Sequence, residues 1–213
     1  MSERHEELLN VYDDEGRVVG AERRRTAKAS GRAVGAVNVL LVNARGEVLL
    51  QRRPPDKENG ARWDKSVGGH VGAGEEFDAT ALREASEELF DEPASSRVRL
   101  AASRSELIER ASTLDLAELV VFYRAGLQRG LRDVRHAPEG GVRNVTYHLA
   151  LYLGRTDVAI ERFRPRAAEI EALRYATVAE VDAMLLGGEL APNMAFLWLT
   201  HARPLLSLLA PLA

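Results

Sequence analysis

Cysteine is absent from the 213-residue sequence, and so are long apolar runs. Without cysteine the chain has no disulfide bonds, thiolate metal ligands or cysteine nucleophiles. No apolar run reaches the ~18 residues that a transmembrane helix needs, and no apolar signal segment lies near the N-terminus. The formal net charge of −3 gives no general reason to expect binding to nucleic acid or to a membrane. These absences predict a cytoplasmic protein with neither kind of partner.

The composition is typical of a soluble globular protein, because 46% of the residues are hydrophobic and 29% are charged. A chain of this length is expected to form one domain of ordinary size with an elaboration. We therefore assign residues 1–213 to a single domain. It carries an insertion around 113–145 and a C-terminal helix over 192–210.

An acidic segment within residues 68–89 carries the strongest chemical pattern. If the segment is helical, Glu84, Glu87 and Glu88 share one face, because positions i, i+3 and i+4 are neighbours on a helix. Like charges at i,i+4 destabilise a helix. A hard divalent cation with oxygen ligands would offset that repulsion. The alternative is an acidic helix face exposed to solvent.

The glycines that precede this helix favour the metal-site interpretation. Gly68, Gly69, Gly72 and Gly74 permit backbone geometries closed to other residues, and they let the chain approach a ligand closely. The glycine-rich loop and the acidic helix together therefore predict a metal site and not an acidic surface exposed to solvent.

The same stretch resembles the Nudix box, G-x5-E-x7-R-E-U-x-E-E-x-G-U, in which U is aliphatic. The positions that match are Gly69, Glu75, Arg83, Glu84, Ala85, Glu87 and Glu88. The last two positions of the motif fall on Phe90 and Asp91, which do not match, so the exit of the helix is expected to differ. The resemblance implies an α/β (α+β) protein with the Nudix fold, an α/β/α sandwich around a mixed β-sheet.

The resemblance also implies a set of site residues. Glu84, Glu87, Glu88 and the Gly69 carbonyl would bind Mg²⁺, or Mn²⁺ in its place. Arg83 would orient a catalytic glutamate through a salt bridge.

Glu75 would help to hold the helix and Arg83, and we count it with the substrate-binding residues. Glu87 is the first candidate for the general base, and Glu169 or Glu171 on a late strand is the second.

A looser likeness points to the isopentenyl diphosphate isomerase branch of the same superfamily. It rests on the segments LLQRRPPDK and WDKSVGGHV, and it would place Arg53 and Lys57 beside a diphosphate. The alternative for either cation is an ordinary surface position. The isomerase needs a catalytic Cys and metal-binding His residues, but the chain has no Cys and Gly31 stands where a His is wanted. We therefore retain the phosphate-binding likeness and reject the isomerisation.

Pattern and turn residues predict most of the remaining elements. We expect a hairpin over 8–22, a solvated basic connector over 23–32, and two strands over 34–53. The pattern over 104–126 fits both helix and strand. Residues 127–143 are interpreted as a solvated loop, with a substrate-closing loop or a dimer element as alternatives.

The C-terminal third gives clearer signals. Strands are expected over 144–154 and 167–175. Thr177 with Glu180 forms a capping-box pattern, and Pro192 is expected to begin the last helix. The apolar stripe of that helix is compatible with a homodimer.

Three function classes follow. The intact charged positions favour hydrolysis of a diphosphate linkage in a nucleoside diphosphate derivative or nucleotide, a small-molecule substrate. The alternative is a non-catalytic nucleotide- or diphosphate-binding module on the same fold. Isopentenyl diphosphate isomerisation is disfavoured.

Overall fold

A ten-stranded mixed sheet with helices on both faces forms the body of the protein. The computed structural model describes residues 7–57, 59–136 and 142–206. The strands are β1 (Leu8–Tyr12), β2 (Val18–Arg23), β3 (Ala33–Val42), β4 (Val48–Arg52), β5 (Trp63–Asp64), β6 (Val67–His70), β7 (Val98–Ala101), β8 (Val120–His136), β9 (Val142–Arg155) and β10 (Ala172–Ala176). The helices are α1 (Arg24–Ala29), α2 (Phe77–Phe90), α3 (Arg104–Thr113), α4 (Val178–Leu186), α5 (Pro192–Leu197) and α6 (Arg203–Leu206). The predicted α+β class with a mixed sheet is confirmed.

The central strand is β3, whose ten residues are all buried. Its near-continuous apolar sequence suits a strand covered on both faces. β3 pairs in parallel with β9, and it pairs antiparallel with β1 at its first residues, β6 in its middle and β4 at its last residue. Residues of β3, β4 and β6 line the cavity of the candidate site.

Apolar side chains cover both faces of the sheet. One cluster joins the sheet to α2 through Ala81, Ala85 and Leu89. A second joins it to α4, α5 and the π-helical turn Trp198–Ala202, around the buried Trp198. A third, smaller cluster joins β1, β3 and β9 to Ala27 of α1. The expected capping box of α4 is present, since the Thr177 hydroxyl accepts a bond from the Glu180 amide and Glu180 returns one to the Thr177 amide. Within the described residues no helix has the length and apolar character needed to span a bilayer.

Three expectations about the elements were wrong. The connector over 23–32 contains α1, which Ala27 anchors in the core. The described part of 127–143 continues β8 and β9 instead of forming a solvated loop, while residues 137–141 lie outside the described residues. Bulges near Gly126 and Gly130 let this Gly- and Arg-rich sequence stay in the ladder.

The late strand is also shorter than predicted. It begins at Ala172, so Glu169 and Glu171 precede it in a turn and do not share a strand face. The ambiguous stretch over 104–126 divides into α3 and the start of β8. The single-domain assignment for 1–213, with its insertion, stays a prediction.

Candidate active site

Two buried glutamates on α2 form the centre of the site. The helix buries Ala81, Ala85 and Leu89 against the sheet, and its 3.6-residue period then directs Glu84 and Glu88 toward β6. Glu84 is 9% exposed and Glu88 is 6% exposed. Two carboxylates so deeply buried and four residues apart need a compensating charge.

Burial and mutual repulsion perturb both carboxyl groups. Burial is the main cause that raises the pKa of Glu84 to about 7, with repulsion from Glu87 and Glu169 adding to it and Arg83 opposing it. Burial, followed by repulsion from Glu84, raises the pKa of Glu88 well above its ordinary value. Glu88 nevertheless accepts hydrogen bonds from the Gly68 amide at 3.1 Å and the Gln51 side chain at 3.3 Å. Both carboxyl groups therefore occupy fixed positions in which their ionised form is unfavourable, and a cation bound between them would favour that form.

Gly69 lies directly against Glu84. A side-chain carbon added at Gly69 would overlap the carboxylate of Glu84, so only glycine lets β6 approach the helix this closely. The first glycine of the motif thus has a steric reason in this chain.

Arg83 links the loop to the acidic helix face. It donates to both Glu75 oxygens at 2.8 and 3.0 Å, and it lies 3.1 Å from Glu84 and 3.4 Å from Glu87. Hydrogen bonds from Arg83 hold the pKa of Glu75 below its ordinary value, and those to Glu75 raise the pKa of Arg83. Glu75 also accepts bonds from Thr80 and from the Gly72 amide, which ties the loop to the start of the helix.

The end of α2 differs from the motif. Phe90 occupies the motif's glycine position and packs against Phe163, with ring centroids 5.7 Å apart, and beneath Arg97. The left-handed residue falls on Asp91, at φ 53°, and its carboxylate binds Arg166 at 2.9 Å. The helix therefore ends one position later without disturbing Glu84 or Glu88.

A cavity of about 560 Å³ opens onto these glutamates. Of the residues predicted for the site, those that line it are Arg53, Gly69, Arg83, Glu84, Glu87, Glu88 and Glu169. Glu75 and Lys57 are not part of the lining. Glu171 lies outside it as well and faces Arg52 at 3.5 Å.

The cavity wall also includes Arg24 and Lys28 of α1, together with Tyr147 of β9. Sequence reasoning assigned the first two to a solvated connector. Their spacing of four residues is the signal that places both on one side of a helix.

The donor set fits a divalent cation. Carboxylate oxygens are the ligands that Mg²⁺ prefers, and one or two protein carboxylates suffice because substrate phosphates and water complete its shell. Within residues 7–57, 59–136 and 142–206, no three acidic or histidine side chains already converge on one metal position. Glu84 and Glu88 are therefore the core of the set, while Glu87 is directed toward Arg83 and Arg166.

Comparison with known proteins identifies the family to which the chain belongs. A model of the NUDIX domain matches residues 32–195. The chain belongs to the Nudix family. An uncharacterized Nudix hydrolase from Streptomyces coelicolor is 45% identical over 85 residues, which cover 39% of this chain and 47% of that protein. An isopentenyl-diphosphate Delta-isomerase from Paenarthrobacter aurescens is 36% identical over 85 residues, covering 39% of this chain and 46% of that protein.

The Nudix matches among curated relatives span about half the length of those proteins. A structural match extends over more of the chain. The crystal structure of a protein from Deinococcus radiodurans covers 90% of this chain and 96% of its own, with a TM-score of 0.58 and 23% sequence identity. At that identity the likeness concerns the Nudix fold.

Proposed function

We propose that this protein hydrolyses a diphosphate linkage in a nucleoside diphosphate derivative or nucleotide, with Mg²⁺ or Mn²⁺ as cofactor. The observation that carries the proposal is the buried Glu84–Glu88 pair, held against Gly69 at the wall of a large cavity. Burying two like charges costs stability unless a cation or a proton compensates them. Arg83, 3.1 Å from Glu84, compensates part of this charge, and a bound divalent cation would compensate the rest.

Each site residue has a distinct task in this proposal. Glu84 and Glu88 hold the cation, and Glu87 and the Gly69 carbonyl complete the proposed protein set. When bound, Mg²⁺ supplies charge neutralisation at the phosphates and activation of water. Arg83 fixes the acidic helix face through its bonds to Glu75 and its contacts with Glu84 and Glu87.

We look for the general base among the glutamates that line the cavity. Glu87 and Glu169 both line the cavity, whereas Glu171 does not. Glu169 raises the pKa of Glu84 and Glu88 by repulsion, which places its charge near both. A base in this region would be within reach of a water molecule beside the glutamates.

Cavity size and lining support a nucleotide-sized substrate. Ligand sites for small molecules measure roughly 300–1,000 Å³, and this cavity falls within that range. Its wall combines cations such as Arg53 and Arg132 with apolar and aromatic groups such as Leu149 and Phe196. Such a wall suits a charged diphosphate joined to a less polar moiety. A homodimer and a cytoplasmic location stay parts of the proposal.

A substrate panel tests the proposal. The panel comprises nucleotide sugars, dinucleoside polyphosphates, coenzyme A, NAD, nucleoside triphosphates and isopentenyl diphosphate. We expect release of a nucleoside monophosphate or inorganic phosphate from at least one nucleotide, only with Mg²⁺ or Mn²⁺ present. Binding of these compounds without turnover would favour the regulatory module instead, and conversion of isopentenyl diphosphate would restore the isomerase.

A further inference from the structure

Lys65 places a buried cation in the cavity wall outside the Nudix motif. Its side chain is 7% exposed, and its ammonium lies 3.3 Å from the Asp64 carboxylate. Asp64 is 1% exposed, and it also accepts the Lys65 amide at 2.9 Å and faces Arg53 at 3.1 Å. Burial opposes ionisation of Asp64, but Lys65 and Arg53 outweigh it and hold its pKa below the ordinary value. One carboxylate thus anchors two cations at the cavity.

The Lys65 side chain crosses directly over Gly68. A side-chain carbon at Gly68 would overlap Cε of Lys65 and would lie 3.0 Å from its ammonium nitrogen. The amide of the same Gly68 donates to Glu88 at 3.1 Å. Lys65 and the buried glutamate therefore meet at one residue of β6, where both line the cavity.

Asn38 lies beside this lysine on the neighbouring strand. It is the register partner of Gly68 in the antiparallel β3–β6 pair, so its side chain projects from the sheet face over which Lys65 crosses. Asn38 is 5% exposed and lines the cavity, and its side-chain amide forms no hydrogen bond with another residue that the structure describes. An amide that lines a cavity and bonds to no described residue is available to a ligand in that cavity.

We propose that Lys65 and Asn38 form a phosphate-binding subsite, with Asp64 as the positioning residue that holds the ammonium in place. The assignment rests on the proposed diphosphate substrate. A lysine ammonium has three donors, of which Asp64 takes one, and the Asn38 amide adds two more. Charge-assisted hydrogen bonds of this kind are those that bind phosphate oxygens strongly. The subsite adjoins the glutamates through Gly68, so a diphosphate can contact both.

Binding of methylenediphosphonate, a diphosphate analogue that resists hydrolysis, tests the subsite. The dissociation constant is measured by NMR titration with Mg²⁺ present, for wild type, Lys65→Met, Asn38→Leu and the exposed-residue control Arg99→Met. We expect a loss of affinity of about 10–100-fold for Lys65→Met, about 3–10-fold for Asn38→Leu, and little change for the control. Lys65→Arg should recover part of the loss, because it restores the charge.

Thermal unfolding separates this role from a structural one. Because Asn38 donates to no described group, Asn38→Leu should unfold at the wild-type temperature or above while binding the analogue more weakly. A lower unfolding temperature together with wild-type affinity would overturn the subsite. If Lys65→Met does not fold, the affinity of Asn38→Leu for the analogue decides whether the subsite exists. A wild-type protein that binds the analogue but hydrolyses no panel compound would refute the proposed function and leave the subsite standing.

Discussion

Glu88→Gln is expected to reduce hydrolysis of the best substrate by about a thousandfold, which corresponds to roughly 4 kcal/mol of activation free energy. Glutamine has nearly the same shape and still offers an oxygen to the Gly68 amide, but it removes the negative charge that would hold the cation. The turnover number and KM are measured with saturating Mg²⁺. The loss should appear in the turnover number.

Two companion measurements show whether loss of the Glu88 charge causes the loss of turnover. Without metal, Glu88→Gln should unfold at the wild-type temperature or above, because it replaces a buried carboxyl group, whose ionisation burial and Glu84 oppose, by a neutral amide of similar shape. Glu109→Gln, an exposed substitution on α3, makes the same chemical change away from the site and should leave turnover unchanged. Wild-type turnover in Glu88→Gln would remove that residue from the site.

Gly69→Ala is expected to lower hydrolysis by about a hundredfold through one added methyl group. The new carbon would overlap the Glu84 carboxylate, which must move away from its place beside β6. A displacement of about 1 Å in a reacting group is enough to produce a loss of that order. Steady-state kinetics measure the loss, and circular dichroism verifies that the sheet is retained.

Gly20→Ala provides the matched control. Gly20 lies on β2, and an added carbon there would meet nothing within 4 Å. Its kinetics should equal those of wild type. If Gly69→Ala also hydrolysed the substrate at the wild-type rate, the close contact between Gly69 and Glu84 would have no catalytic consequence.

The acidic helix and its glycine-rich entry could be predicted because local spacing determines them. A 3.6-residue period fixes which of Glu84, Ala85 and Leu89 face the same side, whatever the helix packs on. The burial of Glu84 and Glu88 depends instead on how closely β6 approaches α2, which spacing does not specify. The perturbed pKa values are therefore a result of the tertiary structure.

Arg24 and Lys28 of α1, which line the cavity, show why other parts of the structure were not predicted. α1 buries only Ala27, so its sequence carries almost no apolar period, and the basic residues suggested a connector. The stretch leading into β8 fits both periods, and pairing with β9 decides it. Asn38 could have been noticed in the sequence, because it is the single amide within the otherwise apolar run of β3.

Glu169 and Glu171 illustrate a further limit. Assigning them to one strand made them equivalent, but the strand begins only at Ala172. Glu169 turns into the cavity, near Arg166, whereas Glu171 lies against Arg52 outside it. A boundary shift of a few residues thus separated a site residue from a surface residue.

Direct titration with Mn²⁺ tests the central claim, namely that Glu84 and Glu88 hold a divalent cation. Free Mn²⁺ is quantified by electron paramagnetic resonance for wild type, Glu109→Gln and a Glu84→Gln/Glu88→Gln variant, in the absence of substrate. We expect wild type and the control to bind the ion with equal affinity, and the double variant to bind it at least about a hundredfold more weakly. Equal binding by all three proteins would contradict the account.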